Sequence, residues 1–183
     1  MVEQLEIISY DPRWVLEFQA ERDRIATALG GLARRIDHNG STSVPGLAAK
    51  PVIDIQVSLE QIHPISAFAG RLGQLGYMHM PHADDAFCPF FHHPGAWPHT
   101  HHVHVVKAGG AEERRTLAFR DYLREHGDVA REYEALKRQL AARFSAGESS
   151  SREAYASAKG EFIERVVQIA LAAGYPRQLK DIV

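Results

Sequence analysis

The chain has one cysteine, Cys88. This excludes an intramolecular disulfide and a paired-thiol zinc site, and it fits a reducing compartment. Set between Phe87 and Pro89, Cys88 reads as a small apolar filler before it reads as a nucleophile. No apolar run is long enough for a membrane span, and no charged segment at the N-terminus leads into an apolar one. The expected location is therefore cytoplasmic, with no membrane partner. An excess of one charge is missing too: 21 basic side chains stand against 23 acidic ones. That balance offers no bulk attraction to nucleic acid, which is not an expected partner. Also absent are a Gly-x-x-x-x-Gly-Lys phosphate loop, a Gly-x-Gly-x-x-Gly motif, a helical His-Glu-x-x-His pair, internal repeats and low-complexity linkers. With 45% apolar residues in 183, the chain is expected to form one domain, 1–183, without staples or a partner.

The patterning predicts a mixed sheet followed by helices. A short apolar segment around Leu5 to Ile8 opens the chain. Asp11 then caps a helix with Pro12 at its first position, and Trp14, Phe18, Ile25 and Leu29 recur at helical spacing up to Gly30-Gly31. Strands are expected at Leu32 to Asp37 and Val52 to Leu59, and a helix from Pro64 to Leu75 with Gly76 as its stop. Weaker strands are read at Tyr77–Met80 and Ala86–Phe91, the latter interrupted or at an edge because of Pro89, and a better one at His101–Val106. Helices follow over about 111–125, 128–144 and 151–173, with a loop at Gly147–Ser151. The fold class is α/β (α+β), with a core of about 1–110 and a helical tail of about 111–183.

The stretch with the most chemistry runs from His38 to Val57. Gly40 permits a tight turn, and Ser41, Thr42 and Ser43 set hydroxyls beside backbone N–H groups, a pattern that can wrap an anion; the same serines also suit ordinary turns. Lys50 adds positive charge. On the following strand Ile53, Ile55, Val57 and Leu59 take one face and Asp54, Gln56 and Ser58 the other. Asp54 on a central strand is costly unless paired or solvated in a cleft, which favours a ligand or catalytic role over a structural one. Eight of the eleven histidines fall between His79 and His104. His102 and His104, two apart on a strand, share a face and are candidate partners of Asp54 at a divalent metal; His104 alone could instead move a proton. His92, His93 and His99 read as a loop flanking the cleft. Tyr155 and Lys159, four apart on the last helix, share a face and are candidate phosphate contacts, as is Lys137. Arg120 is either a further cation or a partner of nearby carboxylates.

The run Gly40-Ser41-Thr42-Ser43-Val44-Pro45-Gly46-Leu47-Ala48-Ala49-Lys50-Pro51-Val52-Ile53-Asp54-Ile55 resembles the signature of the GrpB family, placed among polymerase-beta-like nucleotidyltransferases. The runs His101 to Val106, Leu117 to Arg124 and Tyr155 to Lys159 resemble its other landmarks, which ranks Tyr155 and Lys159 ahead of Lys137. The resemblance implies a nucleotidyltransferase-like mixed sheet with a helical extension. It further implies a metal-dependent enzyme acting on a nucleotide or other phosphorylated small molecule. Asp54 and His104 would be catalytic, with His102 joining them around Mg²⁺, Mn²⁺ or Zn²⁺. Gly40, Ser41, Thr42, Ser43, Lys50, Tyr155 and Lys159 would bind phosphate. In the superfamily a second acid lies two residues after the first, where this chain has Gln56, and a neutral amide cannot bridge two ions. That favours one ion over two. It also keeps open the alternative of a noncatalytic accessory domain, as in relatives fused to dephospho-coenzyme A kinase.

Overall fold

A computed structural model describes residues 6–143 and 157–177. The expected loop at Gly147–Ser151 and the candidate Tyr155 lie outside the described residues.

The strands are β1 (Ala33–Asn39), β2 (Ile53–Leu59), β3 (Met78–His79), β4 (Phe90–His93) and β5 (His101–Lys107), joined in one sheet of order β1-β2-β5-β4-β3. β2 runs antiparallel to β1 and parallel to β5, and β4 runs antiparallel to both β5 and β3. This is the mixed α/β architecture expected. The helices are α1 (Arg13–Leu29), α2 (Ser66–Gln74), α3 (Ala111–Glu125), α4 (Gly127–Arg143) and α5 (Gly160–Ala172). At the start of α1 the Asp11 carboxylate accepts the Arg13 N–H at 2.9 Å, satisfying one of the donors a helix start leaves over. Trp14, Phe18, Ile25 and Leu29 of α1 are buried, each contributing about 1.5–3 kcal/mol by leaving water. With Phe68 and Leu72 of α2 they cover the face built by Ile53, Ile55, Val57, Leu59, Phe91, Val103 and Val105.

Alternation along β2 gives the direction of its side chains but not their exposure. Gln56 and Ser58 face the other way, yet both are fully buried, because α3 closes that side of the sheet. Both faces are therefore covered. The Gln56 amide oxygen accepts from Thr116 of α3.

Two further elements differ from the sequence expectation. Pairing of β4 starts only after Pro89: residues Ala83–Ala86 form a 3-10 turn, and the strand runs on to include His92 and His93. Proline has no N–H for the ladder, although the Pro89 carbonyl still accepts the Val105 N–H at 2.9 Å. Of the expected opening segment, Leu5 lies outside the described residues, and among the described ones Ile8 forms an isolated bridge with Ala49.

The later helices are braced to the early loop at the level of the peptide backbone. Arg124 of α3 donates Nε and a terminal nitrogen to the Ser43 carbonyl at 3.0 and 2.8 Å. From α4, Glu134 accepts the Ala48 N–H at 3.1 Å and Lys137 donates to the Ala48 carbonyl. Val44 and Leu47 pack with Leu123, Tyr133, Phe162 and Val166 between these braces.

Candidate functional site

Between the loop after β1, the first residues of β2 and β5, and helices α4 and α5 lies a cavity of about 340 Å³. Its floor follows from sheet register. Asp54 stands opposite His102 on the parallel neighbour, and Gln56 opposite His104. Asp54, His102 and His104 thus project on one face. The Asp54 carboxylate lies 3.3 Å from His102 Nδ1 and 3.8 Å from His104 Nε2. His101, one residue out of phase, lies outside this cluster.

The charges are mutually compensating. Burial pushes the Asp54 carboxyl up, but its bonds to His102 and His104 outweigh that and hold it below the usual range. Burial likewise lowers His104, and the bonds to Asp54 and to the Cys88 thiol, whose Sγ lies 3.9 Å from Nδ1, raise it to about 10. His102 is lowered, chiefly by burial. One carboxylate oxygen and two imidazole nitrogens lie within 4.8 Å of one another, a donor set that fits a borderline divalent cation.

Gly40 allows the loop to reach this carboxylate. It adopts φ +64° and ψ −170°, a region essentially reserved for glycine, and a Cβ there would sit 2.9 Å from both Cβ and Cγ of Asp54. Gly40→Ala is expected to lower the melting temperature by about 5–10 °C, from about 2–3 kcal/mol of strain, and to displace Asp54. A melting curve superimposable on wild type would show that the loop and carboxylate are not in register.

After Gly40 the chain makes one 3-10 turn, Ser41–Ser43. Ser41 and Thr42 line the cavity; among the described residues neither backbone N–H has an acceptor. The Thr42 hydroxyl lies 3.0 Å from His38 Nε2, and burial pushes His38 down to about 4, leaving a neutral ring. Ser43 does not reach the cavity. Its hydroxyl donates to the Gly40 carbonyl at 2.7 Å and closes the turn, so Ser43 shapes the loop where direct phosphate contact was expected.

Cations converge from three elements. Lys50, Lys137 and Lys159 all line the cavity, facing Asp54, the sole acidic wall residue among the described residues. Lys137, ranked behind Lys159 on sequence grounds, is the most deeply placed, only 2% exposed and 4.9 Å above the Tyr133 ring. Burial and the neighbouring Lys159 push it down to about 7; burial and Lys50 push Lys159 to about 8. Phe90, Phe119 and Tyr133 supply flat apolar walls that sequence reasoning did not select. Arg120 instead bonds Asp121 at 2.7 Å and Asp37 at 3.3 Å, holding α3 to β1.

The GrpB protein family model matches residues 4–168. A UPF0157 protein of Pseudomonas aeruginosa is 39% identical over 174 residues, covering 93% of this chain and 69% of its own length. One from Bacillus subtilis is 37% identical over 88% of this chain, which spans only 46% of that relative. A dephospho-CoA kinase of Mycolicibacterium paratuberculosis is 31% identical over 73% of this chain and 39% of its own length. Among solved structures, GrpB from Enterococcus faecalis is similar at TM-score 0.81 and 34% identity, covering 92% of this chain and 98% of that one. The Cid1 poly(U) polymerase is similar at TM-score 0.51 and 14% identity, covering 75% and 45%, a likeness of fold alone. No helix among the described residues is long and apolar enough to cross a membrane.

Proposed function

The chain belongs to the GrpB family, and from its nucleotidyltransferase-like fold and the contents of its cavity we propose that it binds a nucleoside triphosphate or similar phosphorylated molecule with one divalent cation, for nucleotidyl transfer. One observation carries the reading: three lysines and the Asp54–His102–His104 cluster share a single cavity beneath the Gly40–Thr42 loop. Asp54, His102 and His104 would hold the cation, which supplies charge neutralisation at phosphate oxygens. Lys50, Lys137 and Lys159 carry more positive charge than Asp54 offsets, which suits a polyanion. The open N–H groups of Ser41 and Thr42 take a phosphate oxygen, and Phe90, Phe119 and Tyr133 offer stacking surfaces for a base. Transfer would join an acceptor oxygen to the α-phosphorus and release pyrophosphate, with the lysines neutralising charge on the leaving group.

A second reading keeps the cavity and removes the turnover. Gln56 is turned to Thr116 beneath α3 and takes no part in the cavity wall, so the strand offers one carboxylate. The similarity to part of a dephospho-CoA kinase suits such an accessory binding role.

Thermal shift with each nucleoside triphosphate, alone and with Mg²⁺, Mn²⁺ or Zn²⁺, tests the shared part. A ligand at a hundred times its Kd adds about 2.7 kcal/mol, or about 5–10 °C for a chain of this size. Lys159→Ala should reduce that shift while leaving the ligand-free melting temperature unchanged or slightly raised, since it removes an ammonium whose burial disfavours its charged form. No shift with any nucleotide and metal would refute the binding reading. A shift without pyrophosphate release would select the accessory role.

A further inference from the structure

More imidazoles surround His102 than chelation requires. On the side away from Asp54, His102 Nε2 lies 3.2 Å from Nδ1 of His99. His99 belongs to no strand. It is half-buried and held by its neighbours: its ring stacks on His92 with centroids 4.1 Å apart and planes 19° apart, and Trp97 meets it edge-on at 5.0 Å. His92 is a fixed platform. It pairs with His102 in the β4–β5 register and is 2% exposed, and its Nδ1–H donates to the Pro94 carbonyl at 3.1 Å. A carbonyl only accepts, so that hydrogen is fixed in place on Nδ1.

A hydrogen bond between two imidazoles needs one donor and one acceptor nitrogen. If His102 turns an Nδ1 lone pair toward a cation beside Asp54, its hydrogen must sit on Nε2 and must find an acceptor. We propose that His99 is a positioning residue: its Nδ1 accepts the His102 Nε2–H and holds that ring in the tautomer and orientation in which Nδ1 faces Asp54 and the ion. This rests on the metal-binding reading of the site. In the metal-free protein the same bond runs in the other direction, with His102 Nδ1–H toward Asp54 and Nε2 accepting from His99. The ring orientation is the same in both states, and only the hydrogen placement differs.

The comparison is His99→Phe, which keeps a flat ring against His92 and Trp97 but has no acceptor, with His99→Asn, whose amide oxygen stands near the Nδ1 position. Zn²⁺ affinity is measured by competition with a chromophoric chelator. His99→Phe should weaken it about 10–100-fold, the usual cost of losing such an outer partner, and His99→Asn should stay within about threefold. The ¹⁵N shifts of the His102 ring are read in parallel on metal-free protein: Asp54 keeps the hydrogen on Nδ1 in all three, while the Nε2 resonance moves in His99→Phe, which has no donor, and stays near wild type in His99→Asn, whose amide can turn its NH₂ to Nε2. Should His99→Phe lose cooperative melting, His99→Leu takes its place. Wild-type Zn²⁺ affinity in His99→Phe overturns the proposal. If wild type itself binds no Zn²⁺, the metal reading fails, and unchanged His102 shifts in His99→Phe then overturn the positioning role as well.

Discussion

Loaded with Zn²⁺ or Mn²⁺ and freed of excess, the wild-type protein is expected to retain one ion per chain, and Asp54→Ala none. Asp54 is the only carboxylate in the cluster, flanked by His102 Nδ1 at 3.3 Å and His104 Nε2 at 3.8 Å, so its loss leaves two neutral donors and no anionic one. Losing an outer hydrogen-bond partner costs about 10–100-fold in metal affinity, and losing a direct ligand should cost at least about 100-fold. Asp54→Asn keeps an oxygen without its charge and should fall between. Asp84→Ala removes a half-exposed carboxylate outside the cluster and should retain the ion. The fold should survive Asp54→Ala, because the alanine removes a buried charge whose compensation comes from histidines able to shed a proton. Equal metal content in wild type and Asp54→Ala would eliminate this cluster as the binding site.

Affinity for inorganic triphosphate should fall steeply as pH rises from 7.5 to 9. Lys137 and Lys159 are held near 7 and 8 in the free cavity, below the ordinary lysine value of about 10.5. An anion among them restores the charged form, so binding takes up protons wherever the free amines are partly neutral. Raising pH through that window opposes uptake and weakens binding. If one lysine is fully restored the loss is about tenfold, and for both it is about a hundredfold. Isothermal titration in buffers of different ionisation enthalpy would show the proton uptake directly. The two lysines act oppositely on the free protein: between about pH 7 and 10.5 they hold more protons in the unfolded chain than in the fold, so their contribution to stability rises with pH, against that of His104, which the fold keeps protonated up to about pH 10. Affinity that is flat from pH 7.5 to 9 would mean that the lysines do not contact the anion.

The sequence showed the sheet-borne part of this site because a strand has a period of two. Asp54, His102 and His104 needed only alternation and a pairing between two strands to meet, and the register supplies both. Helix contributions were harder to read. A lysine on an amphipathic helix is usually solvated, and whether its long stem reaches inward depends on how α4 lies against the loop, which one helix's periodicity does not encode. Lys137 ranked behind Lys159 because only Lys159 falls in a run that resembles a family landmark, though Lys137 is the most buried of the three. Ser43 shows the opposite difficulty: hydroxyls that suit an anion also suit a turn, and only the fold reveals that this one closes on Gly40. Gln56 was correctly placed opposite the apolar face, but its burial required α3, and Pro89 marked a strand boundary whose side could not be assigned from sequence.

The pair of side chains with which α4 grips the Ala48 peptide separates two kinds of inheritance. A descendant that kept the apolar side of α4 but lost Glu134 or Lys137 would still pack against Val44 and Leu47 and fold as its ancestors did. Its glycine-serine loop would read unchanged in sequence, while Lys50, two residues after Ala48, would lose the anchor that sets its reach into the cavity. Retention of this cavity across divergent copies of this architecture is therefore better judged from the polar side of one helix than from the most conspicuous stretch of the chain.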